Sequence, residues 1–119
     1  MHELSIAVDL IATIEDTARA HQATGVSLAI VEVGALSGVV PDALSFAFEV
    51  ARKGSLAADC TLEIKEVPLK ARCSACQWEG EIEPLNPVCP SCKELSMEVL
   101  SGRDMRLVSI EIDEEKDHA

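Results

Sequence analysis

The sequence predicts an α+β fold: a small three-stranded sheet packed with two helices, into which a four-cysteine module is inserted. Three observations carry this expectation. Residues 4–20 and 41–53 place their apolar side chains at helical spacing. Residues 26–33, 60–67 and 105–112 are rich in β-branched or alternating apolar residues, the mark of strands. Between the last two of these runs stand Cys73-Ser-Ala-Cys76 and Cys89-Pro-Ser-Cys92.

In the first helical segment Leu4, Ala7, Val8, Ile11, Ile14 and Ala18 fall on one face, with Ser5, Asp9, Thr13 and Asp16 opposite. That stripe must bury against something. Val26 to Val33, bounded by Gly25 and Gly34, offers a strand. Residues 35–41 read as a turn, with Gly38 free to take unusual dihedrals and Pro41 suited to the first turn of a helix. In the second helix Leu44, Ala47, Phe48 and Ala51 share a side, Ser45, Glu49 and Arg52 the other, and Gly54 ends it. Phe46 falls off this stripe, as part of a wider buried face or as a partner contact. From Cys60 to Val67 the pattern alternates, with Cys60, Leu62 and Ile64 on one face, until Pro68 weakens further pairing. Cys60 therefore reads as a small buried core residue. Residues 105–112 supply the last strand, and an acidic tail follows, expected to be solvated and disordered.

The two Cys-x-x-Cys pairs are the strongest motif. Each forms a tight knuckle, and the link between them is long enough for a hairpin, so four thiolates can surround one tetrahedral ion. Zinc is the first choice, at Cys73, Cys76, Cys89 and Cys92. Four sulfur ligands leave no open position, which makes the site structural. A redox dithiol needs one such pair beside a strand-helix unit, whereas here two pairs are flanked by Pro84, Pro87 and Pro90. A four-thiolate iron or iron-sulfur site shares the ligand set, and spacing alone leaves it open. Structural zinc contributes about 10–16 kcal/mol of folding free energy in small peptides, which a short segment without its own core requires.

With 119 residues the chain is read as a small domain carrying a smaller metal-held module. The expected division is an α/β domain from residues 1–69 together with 100–113, an inserted zinc-ribbon domain at 70–99, and a disordered tail at 114–119. Lys and Arg number 10 against 21 Asp and Glu, a formal net charge of -11 that repels a phosphate backbone. With no tyrosine, two phenylalanines and one tryptophan there is little on which bases could stack, so no nucleic-acid partner is expected. No apolar run approaches the ~20 residues of a membrane span, and no targeting signal precedes the first helix, so no membrane partner is expected and Met1 is read as the true first residue. Metal-spaced cysteines, with Cys60 left over, suit the reducing cytoplasm.

Met1-His2-Glu3 stands immediately before the first helix. It is not the start of a metalloprotease helix, which needs a second histidine where Ile6 stands. A terminal histidine has its own chemistry, however. The Met1 amine, the His2 backbone nitrogen and the His2 imidazole can close two fused chelate rings, with Glu3 adding a donor through its amide or carboxylate. Ni(II) and Cu(II) favour such tetragonal N,O sites. Binding requires deprotonation, so affinity falls as pH falls through the His2 and amine titrations.

Taken together, Met1-His2-Glu3-Leu4-Ser5-Ile6-Ala7, the stretch from Gly34 through Pro41-Asp42 to Glu49, the paired knuckles, and Gly102-Arg-Asp-Met-Arg-Leu107 resemble the HypA family, over residues 1–112. The resemblance implies a nickel metallochaperone, not an enzyme, that passes Ni(II) to the [NiFe]-hydrogenase large-subunit precursor, acting with the HypB GTPase; in some organisms such proteins also serve urease and its accessory proteins. It places nickel on His2 and Glu3 with the Met1 amine, and structural zinc on Cys73, Cys76, Cys89 and Cys92. Two departures stand out: Gln77 and Lys93 follow the knuckles where glycine is common, and no histidine lies between His21 and His118. Asp42 is read as a helix-start acid, with an oxygen donor to nickel as the alternative, His21 as a helix-end imidazole, and His118 as part of the charged tail. Trp78 is expected to pack on a knuckle or hairpin, and Lys70, Arg72 and Lys93 to offset the charge of four thiolates. The competing reading is a zinc-ribbon adaptor that binds another protein and handles no nickel.

Overall fold

The computed structural model describes residues 2–114. In chain order they form α1 (His2–Ala20), β1 (Ala23–Gly34), α2 (Pro41–Ala51), β2 (Thr61–Val67), β3 (Lys70–Cys73), β4 (Glu79–Glu81), β5 (Met97–Ser101) and β6 (Met105–Glu114). These strands make two three-stranded sheets, ordered β2-β1-β6 and β4-β3-β5. The first is the sheet expected from the three apolar runs; the second is built from the segment between β2 and β6. β6 continues past the expected end at Ile112 and takes Glu114 from the segment read as tail. Met1 and the rest of that tail, with His118, lie outside the described residues. The chain divides into two compact units, one from Met1–Val31, Val40–Lys65 and Leu107–Ala119, the other from Glu32–Val39 and Glu66–Arg106.

In the first unit α1 packs against α2. Ala7, Leu10, Ile11, Ile14 and Ala18 of α1 are buried, as are Leu44, Ala47 and Phe48 of α2 and Val26, Ala29 and Val31 of β1. The covered stripe of α1 is thus rotated from the expected one. Leu4 and Val8 are 47% and 52% exposed, and Leu10 is inside instead. At about 100° per residue the stripe centres on Ala7, Ile14 and Ala18; Val8 falls about 100° off this axis, and Leu4 and Leu10 about 60° off on opposite sides, the side carrying Leu10 being the covered one. Gln22, at φ 57, takes the left-handed conformation that ends α1. α2 opens with Pro41 in its first turn, after an extended Val40 at φ -90 and ψ 116 that has no side-chain cap. It closes at Arg52, with Gly54 at φ 78 behind it. β2 buries in alternation as expected, and Cys60 at its start is fully covered. The Cys60 thiol is pushed up by that burial, with the Arg52 guanidinium pulling the other way.

The second unit has little core of its own. β3 pairs antiparallel with β4, where Ala71 faces Gly80, and with β5, where Ala71 faces Val99 and Cys73 faces Met97. Its buried apolar residues are Val33, Leu69, Ala71, Cys73 and Cys89. Three backbone segments meet closely here: Gly34 N–H donates to Asp104 O at 3.0 Å, Ala35 N–H to Val67 O at 3.0 Å, and Leu36 N–H to Gly102 O at 2.8 Å. A side chain at Gly34 would strike the backbone of Gly102, and one at Gly102, which sits at φ 89, would lie 2.5 Å from Pro68 O.

Candidate metal centre

β3 delivers Cys73 at its last residue, and the two knuckles then repeat one backbone pattern. Cys73 N–H donates to Trp78 O at 2.7 Å and its carbonyl accepts Gln77 N–H at 2.8 Å; Cys89 N–H donates to Glu94 O at 3.0 Å and its carbonyl accepts Lys93 N–H at 2.9 Å. Each turn closes on a left-handed residue, Gln77 at φ 68 and Lys93 at φ 66. Both are residues with a Cβ in a conformation that glycine takes at least cost. A second bond from the first knuckle, Ser74 N–H to Ser96 O at 2.9 Å, ties it to the chain entering β5.

These turns point four sulfurs at one another. Cys73 Sγ lies 3.5 Å from Cys92 Sγ and Cys76 Sγ 3.6 Å from Cys89 Sγ. All four lie within 4.8 Å of each other. These separations are far beyond the ~2.05 Å of a disulfide. They are close to the ~3.8 Å edge of a tetrahedron built on zinc–sulfur bonds of about 2.3 Å. Cys73 and Cys89 are buried, Cys92 is half-buried and Cys76 is exposed. The Cys89 thiol is held at about 7: desolvation raises it, but the backbone N–H groups of Cys92 and Ser91 and neighbouring thiols bring it down. Cys92 stands at about 12: a backbone contact to Glu94 lowers it, while desolvation and the other three sulfurs raise it. Thiols so close cannot all ionise unaided, and a divalent cation among them resolves the conflict. The donor set and spacing fit such an ion.

The flanking groups are placed less simply than expected. Arg72 Nε lies 3.6 Å from Glu79, and Lys93 Nζ donates to Pro90 O at 3.2 Å within the second knuckle. Trp78 packs over the hairpin, its ring filling the space that a Cβ on Gly80 would need. Cys60 takes no part in the cluster; its carbonyl accepts Arg52 Nη1 at 2.6 Å.

At the other candidate site, α1 brings His2 and Glu3 together in its first turn, where backbone N–H groups have no intrahelical acceptor. His2 is 58% exposed at its side chain and its Nε2 lies 3.4 Å from Glu3 Oε2. Glu3 is only 16% exposed, because its side chain turns toward α2. The Val40 N–H donates to the same Oε2 at 3.4 Å. This contact went unanticipated from sequence; the pairing of an uncapped residue before Pro41 with an acid was its one faint signal. Glu3 and Leu4 also line a cleft of about 220 Å³ with Ala43, Phe46, Ala47 and Val50. Phe46 there is 69% exposed, which removes the wider-buried-face reading. His21 is occupied elsewhere, its Nδ1–H donating to Thr17 O at 3.0 Å. Asp42 stands in the first turn of α2, as a helix-start acid should.

Known proteins resemble this chain in sequence and fold. The family described as hydrogenase/urease nickel incorporation, metallochaperone, hypA matches residues 1–112. A hydrogenase maturation factor HypA of Aquifex aeolicus is 41% identical over 113 residues, covering 95% of this chain and 98% of its own. One from Streptomyces avermitilis is 39% identical, covering 100% of this chain and 92% of its own. Among solved structures, the Ni metallochaperone HypA from Helicobacter pylori superposes with a TM-score of 0.70 at 31% identity, covering 97% of this chain and 100% of that one. A second HypA solution structure gives a TM-score of 0.73 at 30% identity, covering 97% and 98%.

Proposed function

The chain belongs to the HypA family of nickel-incorporation metallochaperones, and from that premise we propose that it binds Ni(II) at its N-terminus and delivers it to the [NiFe]-hydrogenase large-subunit precursor. The observation that carries this reading is an exposed His2 imidazole in the first turn of α1, beside the Glu3 carboxylate. Its donors are the Met1 amine, the His2 backbone nitrogen and imidazole, and Glu3. First-turn amides owe no hydrogen bond to the helix, so they can release a proton to solvent as the cargo ion binds without unwinding a turn. A planar nitrogen-rich set favours nickel over zinc and magnesium. The same set at a chain end is open to a competing ligand from a partner, which is how a tightly held ion is passed on. The HypB GTPase is the proposed partner in that step, in the cytoplasm, and urease accessory proteins are further proposed clients.

Zinc is the proposed occupant of Cys73, Cys76, Cys89 and Cys92, where it supplies a cross-link and no chemistry on a substrate. The zinc ribbon at 70–99 is proposed to work as an insertion in the α/β domain formed by 1–69 and 100–113. No catalytic role is proposed for any residue. Among the described residues no helix is long and apolar enough to cross a membrane.

Calorimetric titration of tag-free, zinc-loaded protein with Ni(II), alongside His2→Ala and a form with one residue added before Met1, tests this. One nickel per chain, lost in both altered forms, is the expected result. Nickel binding that is absent, or indifferent to both changes, refutes the reading and favours the zinc-ribbon adaptor.

A further inference from the structure

We propose that the Glu3 side chain is a positioning residue and not a nickel donor: moored on the N-terminus of α2, its carboxylate holds the His2 ring so that Nδ1 faces the ion. The inference deepens the terminal-chelate reading above and rests on it.

Ring size decides which imidazole nitrogen meets nickel. The Met1 amine and the His2 amide nitrogen close a five-membered ring, and the His2 amide nitrogen and Nδ1 close a six-membered one. Nε2 points away from the backbone and cannot join that chelate. It is Nε2, however, that lies 3.4 Å from Glu3 Oε2. A metal-ligating histidine commonly donates its second ring N–H to a carboxylate, which fixes the tautomer and ring orientation and raises the basicity of the ligating nitrogen. Glu3 is placed for that task and poorly placed to ligate, because the same oxygen accepts the Val40 N–H at 3.4 Å.

That second contact explains why Glu3 is held. Val40 precedes Pro41, lacks a side-chain cap, and begins α2, an 11-residue helix. A carboxylate there receives an unsatisfied N–H and the favourable end of the helix dipole. With the side chain only 16% exposed, its position is set by the helix start and not by solvent. The Glu3 carboxylate therefore makes the first turn of α2 part of the apparatus that orients His2. Displacing that turn frees both side chains at once.

The test uses the full chain with an unextended N-terminus, nickel sulfate as probe, and four variants: Glu3→Ala, Glu3→Gln, Val40→Pro and Val40→Ala. Glu3→Ala weakens nickel binding about 10–100-fold, as loss of such supporting partners commonly does, with the ligand-field absorption spectrum of bound nickel unchanged. Glu3→Gln, which keeps a carbonyl acceptor, recovers most of the affinity. Val40→Pro, which deletes the N–H, weakens binding in the same direction, and Val40→Ala does not. A readout without nickel runs alongside: the Val40 amide proton resonance moves in Glu3→Ala and stays in Glu3→Gln. A changed nickel spectrum in Glu3→Ala makes the carboxylate a ligand and overturns the proposal. So does unchanged affinity in Glu3→Ala, or an unmoved Val40 amide, in a protein whose His2→Ala variant loses nickel. If the wild type takes up no nickel at its terminus, the terminal chelate itself fails, and this proposal with it.

Discussion

Phe46 and Phe48 stand on one short helix with opposite fates. Phe48 is 1% exposed and Phe46 69%. Truncating Phe48 to alanine removes a buried ring and leaves a cavity, at a cost of about 3–5 kcal/mol. The same change at Phe46 alters stability by no more than about 0.5 kcal/mol. Urea denaturation of the two variants gives the comparison directly. Cys60 gives a pH signature at the same scale. Its thiol is raised above its ordinary value of 9.0 in the fold, chiefly by burial. The folded state thus holds this proton where the unfolded chain has lost it. The stabilisation is fully present below the unfolded value and is lost as pH rises through and beyond about 9 toward the folded one. Denaturation midpoints of the zinc-loaded protein should fall with alkaline pH, and Cys60→Val should flatten part of that slope.

At the scale of elements, turns and close approaches govern. Lys93 closes the second knuckle at φ 66, a conformation that costs a residue with a Cβ about 1–2 kcal/mol. Lys93→Gly relieves that strain but gives the unfolded chain more freedom. The net gain expected in a denaturant melt is up to about 1 kcal/mol. Gly102→Ala should go the other way, losing about 1–3 kcal/mol, since φ is 89 there and the added carbon meets Pro68 O at 2.5 Å. Neither outcome follows from helix or strand propensity. Gly102 was legible only as part of a motif, because its partner, the backbone of residues 68–69, meets it through the fold and not through neighbouring sequence.

For the molecule as a whole, the second unit has a handful of buried apolar residues, two of them cysteines of the cluster, so its sheet is expected to depend on the zinc proposed for those cysteines. Chelation should collapse the amide resonances of β3, β4 and β5, and restoring zinc should bring them back; resonances that persist without metal would show that the sheet stands alone. The sequence by itself determined the order of the two helices and of the three strands of the first sheet, and the cluster of four cysteines; it placed His2 and Glu3 before the first helix, whereas α1 begins at His2. Those features are local: side-chain direction repeats every 3.6 residues in a helix and every 2.0 in a strand, and a Cys-x-x-Cys turn carries its geometry with it. Only the tertiary structure decided that Leu10 is covered and Val8 is not, that Gly34 and Gly102 touch, and that Glu3 meets the backbone of Val40 from 37 residues away. Each of these depends on where a distant segment comes to rest, and such a meeting leaves no period in the chain to read.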